Sequence, residues 1–292
     1  MRCAAIDIGT NSCRLLIGEA STEGFQILCR DLESTRMGQG LAAYGVLSME
    51  AIRRTVACLQ HFQEQMAHYQ VQAYRVVATS AVREAKNRQE FLERVQKECS
   101  GMRVEVIAGE EEAWLSFQGV CSGLGLKTSP LVVDLGGGST EIVWQDHQPH
   151  LLSFPVGAVR ATEEAMDDHR IQDILAPLLD ISREMDDHPL VFVGGTATSL
   201  VAIKLALSEY NSELVHGHRL MRQEIEKIFQ NLQSLSLEER RHLPGLEPKR
   251  ADIIIQGARI MLAVMKILGR EQTLVSESDL LNAIICKIYT GG

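Results

Sequence analysis

No run of eighteen apolar residues occurs in the chain, and Met1 does not open a basic stretch followed by an apolar one. These absences argue against a membrane span and a secretory leader. Cysteine has no pattern: Cys3, Cys13, Cys29, Cys58, Cys99, Cys121 and Cys286 are scattered, with no C-x-x-C pair. An odd, unpatterned set reads as reduced thiols of a cytoplasmic protein, packed mostly as small hydrophobes. Of nine histidines the closest pair is His216 and His218, without companions at metal-ligand spacing, so structural zinc is not expected. Positive charge is also short, with 29 Lys and Arg against 38 Asp and Glu, a net charge of −9. This argues against broad attraction to nucleic acid or an anionic membrane. A polyanionic ligand would need local donors and a metal.

The chain does have material for a core. Hydrophobic residues make up 45% of its 292 positions and charged residues 23%, a balance that folds and a length that suggests two domains. Cys3–Ile8 reads as a strand, with a tight turn at Gly9–Ser12 and a second strand at Arg14–Gly18. Another strand is expected near Phe25–Cys29. Ser48 then caps a helix with Ile52, Val56, Leu59, Phe62 and Met66 at helical spacing. A strand at Tyr74–Thr79, a helix at Arg88–Cys99, a strand at Arg103–Ile107 and a helix from Glu110 complete an α/β half. The glycine-rich, polar segment Cys121–Lys127 marks the expected boundary, giving domains of residues 1–124 and 125–278. A terminal helix of about 279–292 is free to pack back on the first. In the second half, strands are expected within Leu131–Trp144 and at Leu190–Val193. Helices follow Gly194-Gly195-Thr196 and cover Gln223–Leu235, Arg250–Leu268 and Asp279–Tyr289.

The second half echoes the first. Asp7-Ile8-Gly9-Thr10-Asn11-Ser12 aligns with Asp134-Leu135-Gly136-Gly137-Gly138-Ser139, and apolar residues follow each. Aspartate, glycine and serine recur at the same offsets, which suggests a duplicated unit with two facing turns across a cleft. Glycine lets backbone N–H groups approach an anion and permits the positive φ of a nest. Thr10, Asn11, Ser12 and Ser139 add side-chain donors. An aspartate beside phosphate oxygens is repulsive unless a cation lies between them, so Asp7 and Asp134 imply Mg²⁺. Either turn alone would pass for an ordinary hairpin; the repeated acid offset favours function.

Three further features are ambiguous on their own. Arg83 suits a bidentate phosphate clamp, yet also a surface ion pair. Glu110, Glu111 and Glu112 suit a helix N-terminus, yet one of three adjacent acids could instead deprotonate an attacking water. Gly194-Gly195-Thr196 could receive a phosphate or nucleotide at a helix start, or simply begin the helix.

Together these segments closely resemble the exopolyphosphatase / guanosine pentaphosphatase family. The matching stretches are Ala4–Ser12, Ala78–Asn87, Gly109–Ala113, Val133–Glu141, Pro155–Arg160, Gly194–Thr198, Val215–Leu220 and Leu243–Pro248. The resemblance implies two actin-like, ribonuclease H-like α/β domains of the sugar kinase, actin and heat-shock chaperone superfamily, with an active site in the cleft between them. It implies that Glu112 is the catalytic glutamate, that Arg83 is the cleft arginine, and that Asp134, Gly136, Gly137, Gly138 and Ser139 form the phosphate loop. Glu141 is the further acid, counted with Asp7 and Asp134 as a metal ligand. Two departures stand out. Cys13 replaces a bulky apolar residue, and Asp279-Leu280-Leu281-Asn282-Ala283 replaces a Gly-Leu-Arg-Glu-Gly stretch, removing an arginine. The chain corresponds to the short form, without the helical C-terminal half of longer relatives.

The implied activity is Mg²⁺-dependent release of terminal orthophosphate from inorganic polyphosphate. Guanosine pentaphosphate hydrolysis and a non-catalytic alarmone-binding module are the alternatives. A sugar kinase fits less well, since its substrate supplies the acceptor hydroxyl and leaves Glu112 without work. No nucleic-acid or membrane partner is expected, and a homodimer is left open.

Overall fold

Every residue from Cys3 to Ile8 is apolar except Asp7. Such a strand is stable only with both faces covered. The computed structural model, which describes residues 1–21, 24–182 and 187–290, makes this segment the centre of a sheet. In chain order come β1 (Arg2–Ile8), β2 (Cys13–Ser21), β3 (Gly24–Glu33), α1 (Leu41–Tyr44), α2 (Met49–His68), β4 (Ala73–Ala78), α3 (Ser80–Glu84), α4 (Arg88–Glu98), β5 (Val104–Val106) and α5 (Gly109–Leu124). Next are β6 (Leu131–Leu135), β7 (Thr140–Gln145), β8 (Pro149–Phe154), α6 (Ala158–Glu163), α7 (Asp168–Leu175), α8 (Pro177–Ile181), β9 (Leu190–Val193), α9 (Gly195–Lys204) and α10 (Ser212–Val215). The chain ends with β10 (His218–Met221), α11 (Arg222–Ser234), α12 (Leu237–Arg241), α13 (Ile254–Ile267), β11 (Gln272–Val275) and α14 (Leu280–Thr290). Two compact units result: Met1–Leu115 with Leu280–Gly292, and Ser116–Asp279.

The two sheets share one plan. The first has strand order β3-β2-β1-β4-β5, and the second, read in the same sense, β8-β7-β6-β9-β11-β10. β1 pairs antiparallel with β2 and parallel with β4; β6 does the same with β7 and β9. The echo in sequence is therefore an echo in topology, and β10 is an addition at one edge.

Alternation along β1 divides its residues between two cores. Ala4, Ile6 and Ile8 join Leu15, Ile17 and the α2 residues Ile52, Val56, Leu59 and Phe62. Cys3 and Ala5 join Leu16, Val77, Leu115 and the α14 residues Leu280, Leu281, Ile284 and Ile285 on the other face. Ser48 caps α2 by accepting from Ala51 N at 3.1 Å. In the second unit one continuous core joins β6 and β9 to α6, α7, α9, α11 and α13.

The structure departs from expectation where glycine and proline mislead. Cys121–Leu124, read as part of a polar turn, is the last turn of α5. Its glycines serve helix packing: a Cβ on Gly119 would lie 1.9 Å from Asp279 O, and one on Gly123 would lie 2.3 Å from Ser278 Oγ. The helix expected from Arg250 starts later, after a 3-10 turn at Pro248–Arg250, because Arg250 N and Ile253 N bond three residues back to Glu247 O and Arg250 O. β8 opens on Pro149 and lies at a sheet edge, the place where proline is tolerated.

Gly119→Ala should destabilise the protein by about 1–3 kcal/mol through overpacking, although alanine is the better helix former by about 1 kcal/mol. Urea unfolding monitored by circular dichroism measures it. Unchanged or raised stability would contradict the close approach.

Candidate active site

Each repeated aspartate closes a central strand and faces the residue seven positions on, across a hairpin. In the first unit Asp7 is in register with Arg14. Directly opposed residues of an antiparallel pair project from the same face with Cβ atoms about 4.5–5.5 Å apart. Arg14 Nη2 and Nε donate to Asp7 Oδ2 at 2.6 and 3.0 Å. The cation at Asp7 in this structure is thus a guanidinium, where the sequence reading placed Mg²⁺. The aspartate side chain is 6% exposed and the arginine 24%.

In the second unit Asp134 is in register with Glu141. Two acids directly opposed repel each other unless a cation or proton intervenes. Glu141 is buried, and Ser153 Oγ, opposite it on β8, donates to its Oε1 at 3.1 Å. Ser116 Oγ, from α5, donates to Asp134 Oδ2 at 2.5 Å. These oxygens are hard donors of the kind magnesium takes, and Mg²⁺ commonly uses one or two carboxylates with water and phosphate completing its shell. The donor set fits such an ion. No group of three or more His, Cys, Asp or Glu suited to a metal occurs among the described residues.

The two turns are built alike. Gly9 N bonds Ser12 O at 3.0 Å, and Gly136 N bonds Ser139 O at 3.0 Å. A Cβ at Gly9 or Gly136 would lie only 3.0 or 3.1 Å from that same carbonyl. The glycines are needed for this close approach; none of Gly9, Gly136, Gly137 and Gly138 has a positive φ, contrary to the nest conformation expected from sequence. The loop carbonyls are tied down from outside. Thr10 O accepts from Gly38 N and Asn11 O from Arg36 N, each at 2.8 Å. Gly136 O accepts from Ala158 N, and Gly137 O accepts from Val159 N and Arg160 N at the start of α6. Arg160 Nε donates to Gly138 O at 2.7 Å. With its carbonyls held by α6 and Arg160, the second loop has the N–H groups of Gly137 and Gly138 as donors for an anion. Cys13, just after the first loop, is an inert packing group: burial, then neighbouring Cys58, Asp7 and Glu33, push its thiol well above the ordinary range.

The three glutamates of α5 separate by partner. Glu111 pairs with Arg75, at 2.7 Å, which also holds Glu105. Glu110 is exposed. Glu112 accepts from Arg83 Nη1 at 2.8 Å, and the same nitrogen donates to Ile107 O at 3.1 Å. Arg83 and Glu112, named separately from sequence, are therefore partners. Glu112 and Ser116 lie four residues apart on one face of α5, about 6 Å of helical rise.

Gly194, with φ of 96°, opens α9; a Cβ there would meet Leu135 O at 2.6 Å. The Arg250 guanidinium lies where a Gly195 side chain would begin, 1.9 Å from an added Cβ. Thr196 turns its hydroxyl toward Gly257 of α13, so its side chain serves helix packing. Sequence reasoning missed Arg14, Ser116 and Ser153 as parts of the site. Arg14 had a signal: it stands at the same offset from Asp7 as Glu141 does from Asp134.

A model of the Ppx/GppA phosphatase family matches residues 16–288. The chain belongs to the Ppx/GppA phosphatase family. It is 34% identical over 309 residues to exopolyphosphatase 2 of Mycobacterium tuberculosis, covering 97% of each protein. It is 31% identical over 308 residues to a bifunctional 3-dehydroquinate synthase/phosphatase of Fusobacterium nucleatum, covering 97% of this chain and 46% of that protein, about half its length. The crystal structure of the Aquifex aeolicus family member aligns with a TM-score of 0.81 at 31% identity, over 100% of this chain and 98% of that one. An exopolyphosphatase of Cytophaga hutchinsonii gives a TM-score of 0.91 at 24% identity over 100% and 98%, a likeness of fold. The α/β, actin-like fold implied by the sequence resemblance is the fold of this family member.

Gly157→Ala tests the buttress behind the second loop, since its Cβ would lie 2.5 Å from Gly137 C. It should shift the loop backbone and weaken phosphate binding by about tenfold or more, a loss of at least about 1.4 kcal/mol. Inorganic phosphate titration by calorimetry reads this, and unchanged affinity would remove the loop from the phosphate site.

Proposed function

We propose that the chain is a Mg²⁺-dependent phosphohydrolase releasing terminal orthophosphate from inorganic polyphosphate. The observation that carries this reading is the Arg83–Glu112 pair, at 2.8 Å, on a helix whose next turn supplies the Ser116 hydroxyl bonded to Asp134. The family is a phosphatase family, and a relative of matching length is named an exopolyphosphatase.

In this reading Glu112 accepts a proton from water as the water oxygen attacks the terminal phosphorus, and the polymer leaves one unit shorter. Arg83 holds the carboxylate in place and shares its guanidinium with the transferring phosphoryl oxygens. N–H groups of Gly137 and Gly138 stabilise charge on those oxygens without reorganising. Asp134 and Glu141 would hold Mg²⁺, which supplies charge neutralisation and polarisation of the phosphoryl group when bound. Ser116 and Ser153 orient the two carboxylates.

Three arginines near residues 240–250 that a long polyanion could use already have protein partners. Arg240 Nη1 donates to Ala251 O at 2.6 Å, Arg241 pairs with Glu238 at 3.0 Å and Arg250 pairs with Glu247 at 3.0 Å. We therefore assign short polyphosphate as the preferred substrate, cleaved distributively, with guanosine pentaphosphate secondary.

Glu112→Gln should lower kcat by about 10²–10⁴-fold while leaving substrate affinity nearly intact, as expected for loss of a general base. Phosphate release from polyphosphate in Mg²⁺ is the assay; full turnover by the variant would sink the mechanism, as would wild-type activity that survives chelation. Across a polyphosphate length series at fixed Mg²⁺ and salt, kcat/KM should not climb with length, and gels should show intermediate lengths. Efficiency rising with length, with no intermediates, would refute the distributive assignment. Greater efficiency on guanosine pentaphosphate would reverse the substrate order.

A further inference from the structure

Two adjacent residues of α2 grip the turn that supports the first loop. We propose that Arg54 is a positioning residue for the loop Gly9–Ser12: through the turn Thr35–Gln39 it fixes the backbone of Asn11, so that the Asn11 N–H is aimed at a bound phosphate. The inference rests on the phosphohydrolase reading above and deepens it. Arg54 itself bonds to the turn and to its own helix.

The turn is one the chain does not adopt unaided. Arg36 has a φ of 52°, in the left-handed region that a residue with a side chain rarely takes, so its surroundings must impose it. They act from two sides. Toward the loop, Arg36 N donates to Asn11 O and Gly38 N donates to Thr10 O, each at 2.8 Å. Toward α2, Arg54 Nε donates to Thr35 O at 2.9 Å and Nη2 donates to Gln39 Oε1 at 3.1 Å. A planar guanidinium with parallel donors thus spans both ends of the turn. The next residue, Thr55, donates from its hydroxyl to Met37 Sδ at 3.4 Å, and Met37 is fully buried. The third guanidinium nitrogen of Arg54, Nη1, pairs with Glu50 one helical turn earlier, at 3.2 Å. That pair lies within α2 and does nothing for the loop. A peptide unit is planar and trans, so a carbonyl held toward the turn sends the N–H of the same unit the opposite way. With Thr10 O and Asn11 O both held, Asn11 is fixed on each flank and its N–H points away from the turn.

Amide hydrogen exchange of the full chain, resolved by NMR, reads this support directly. In Arg54→Met the Arg36 and Gly38 amides should exchange at least about tenfold faster than in wild type. The KM for polyphosphate should rise about tenfold, with kcat changed by less than about threefold. Arg54→Lys should match the methionine variant, because one ammonium keeps the Glu50 pair without spanning the turn. Glu50→Gln should match wild type. If Arg54→Met fails to fold, Gln39→Ala removes a single contact of an exposed side chain and should raise KM about threefold. The proposal is overturned by unchanged exchange or unchanged KM in folded Arg54→Met, by wild-type KM in Gln39→Ala, by full recovery in Arg54→Lys, or by an equal loss in Glu50→Gln. Lowered stability to urea with wild-type KM would make Arg54 a packing residue and nothing more. If exchange rises as stated while wild type releases no phosphate from polyphosphate, the substrate reading fails and the positioning of Asn11 by Arg54 stands.

Discussion

The register of two β-hairpins is the constraint on which the rest of the site depends. A strand alternates faces with a period of two, so a slip of one residue would carry Asp7 into the core filled by Ile6, Ile8 and the α2 side chains, and would separate it from Arg14. The register is pinned because both faces of β1 are buried, one under α2 and the other under α14. Hydrophobic packing of five residues thereby fixes the position of one polar group. The converse also holds. Removing Arg14 would leave a largely buried carboxylate without its guanidinium, and breaking such a pair costs about 3–5 kcal/mol, so fold and charge arrangement constrain each other.

The same packing preorganises the loops. A turn free to rotate would spend its N–H groups on water and have to reorder them around each substrate. Here α6 and the segment at 36–38 hold the loop carbonyls from behind, which fixes peptide planes and therefore the direction of the opposite N–H groups. Gly157 and Gly38 make this close support feasible: added Cβ atoms would strike Gly137 C at 2.5 Å and Thr10 Cγ2 at 2.3 Å. These supporting glycines lie outside the loops they support.

Much of this was legible in the sequence, for identifiable reasons. β1, β6 and β9 are short continuous apolar runs, and α2 carries both its cap and its period, so local pattern and tertiary role agree. The paired Asp-x-Gly turns were legible because duplication repeats an offset that chance does not. What was not legible depends on partners distant in the chain. Gly119 and Gly123 signal a turn to any local reading, and only the Asp279 backbone and the Ser278 side chain reveal why they are glycine. Ser116 and Ser153 look like any serines until folding brings them to Asp134 and Glu141. Arg14 was overlooked because the echo was aligned for what its halves share, whereas its chemical content lies in the position where they differ.

An acidic protein that binds a polyanion poses an electrostatic problem that this arrangement resolves locally. With a net charge of −9, the field at long range repels phosphate, and at physiological ionic strength it is screened beyond about 8 Å. Binding must therefore be won within a few ångströms, by groups whose charge is not already spent. Several arginines here are already paired: Arg75, Arg94, Arg222 and Arg241 each face glutamate at 3.0 Å or closer. Arg83 differs because its carboxylate partner is the residue proposed to take a proton. In the proposed mechanism, as Glu112 becomes protonated in the transition state its hold on the guanidinium would weaken, while that same guanidinium would stabilise negative charge on the phosphoryl oxygens. Arg83 would then be worth more in the transition state than in the ground state, and only such differential interactions accelerate a chemical step. An arginine paired with a spectator glutamate could not do this.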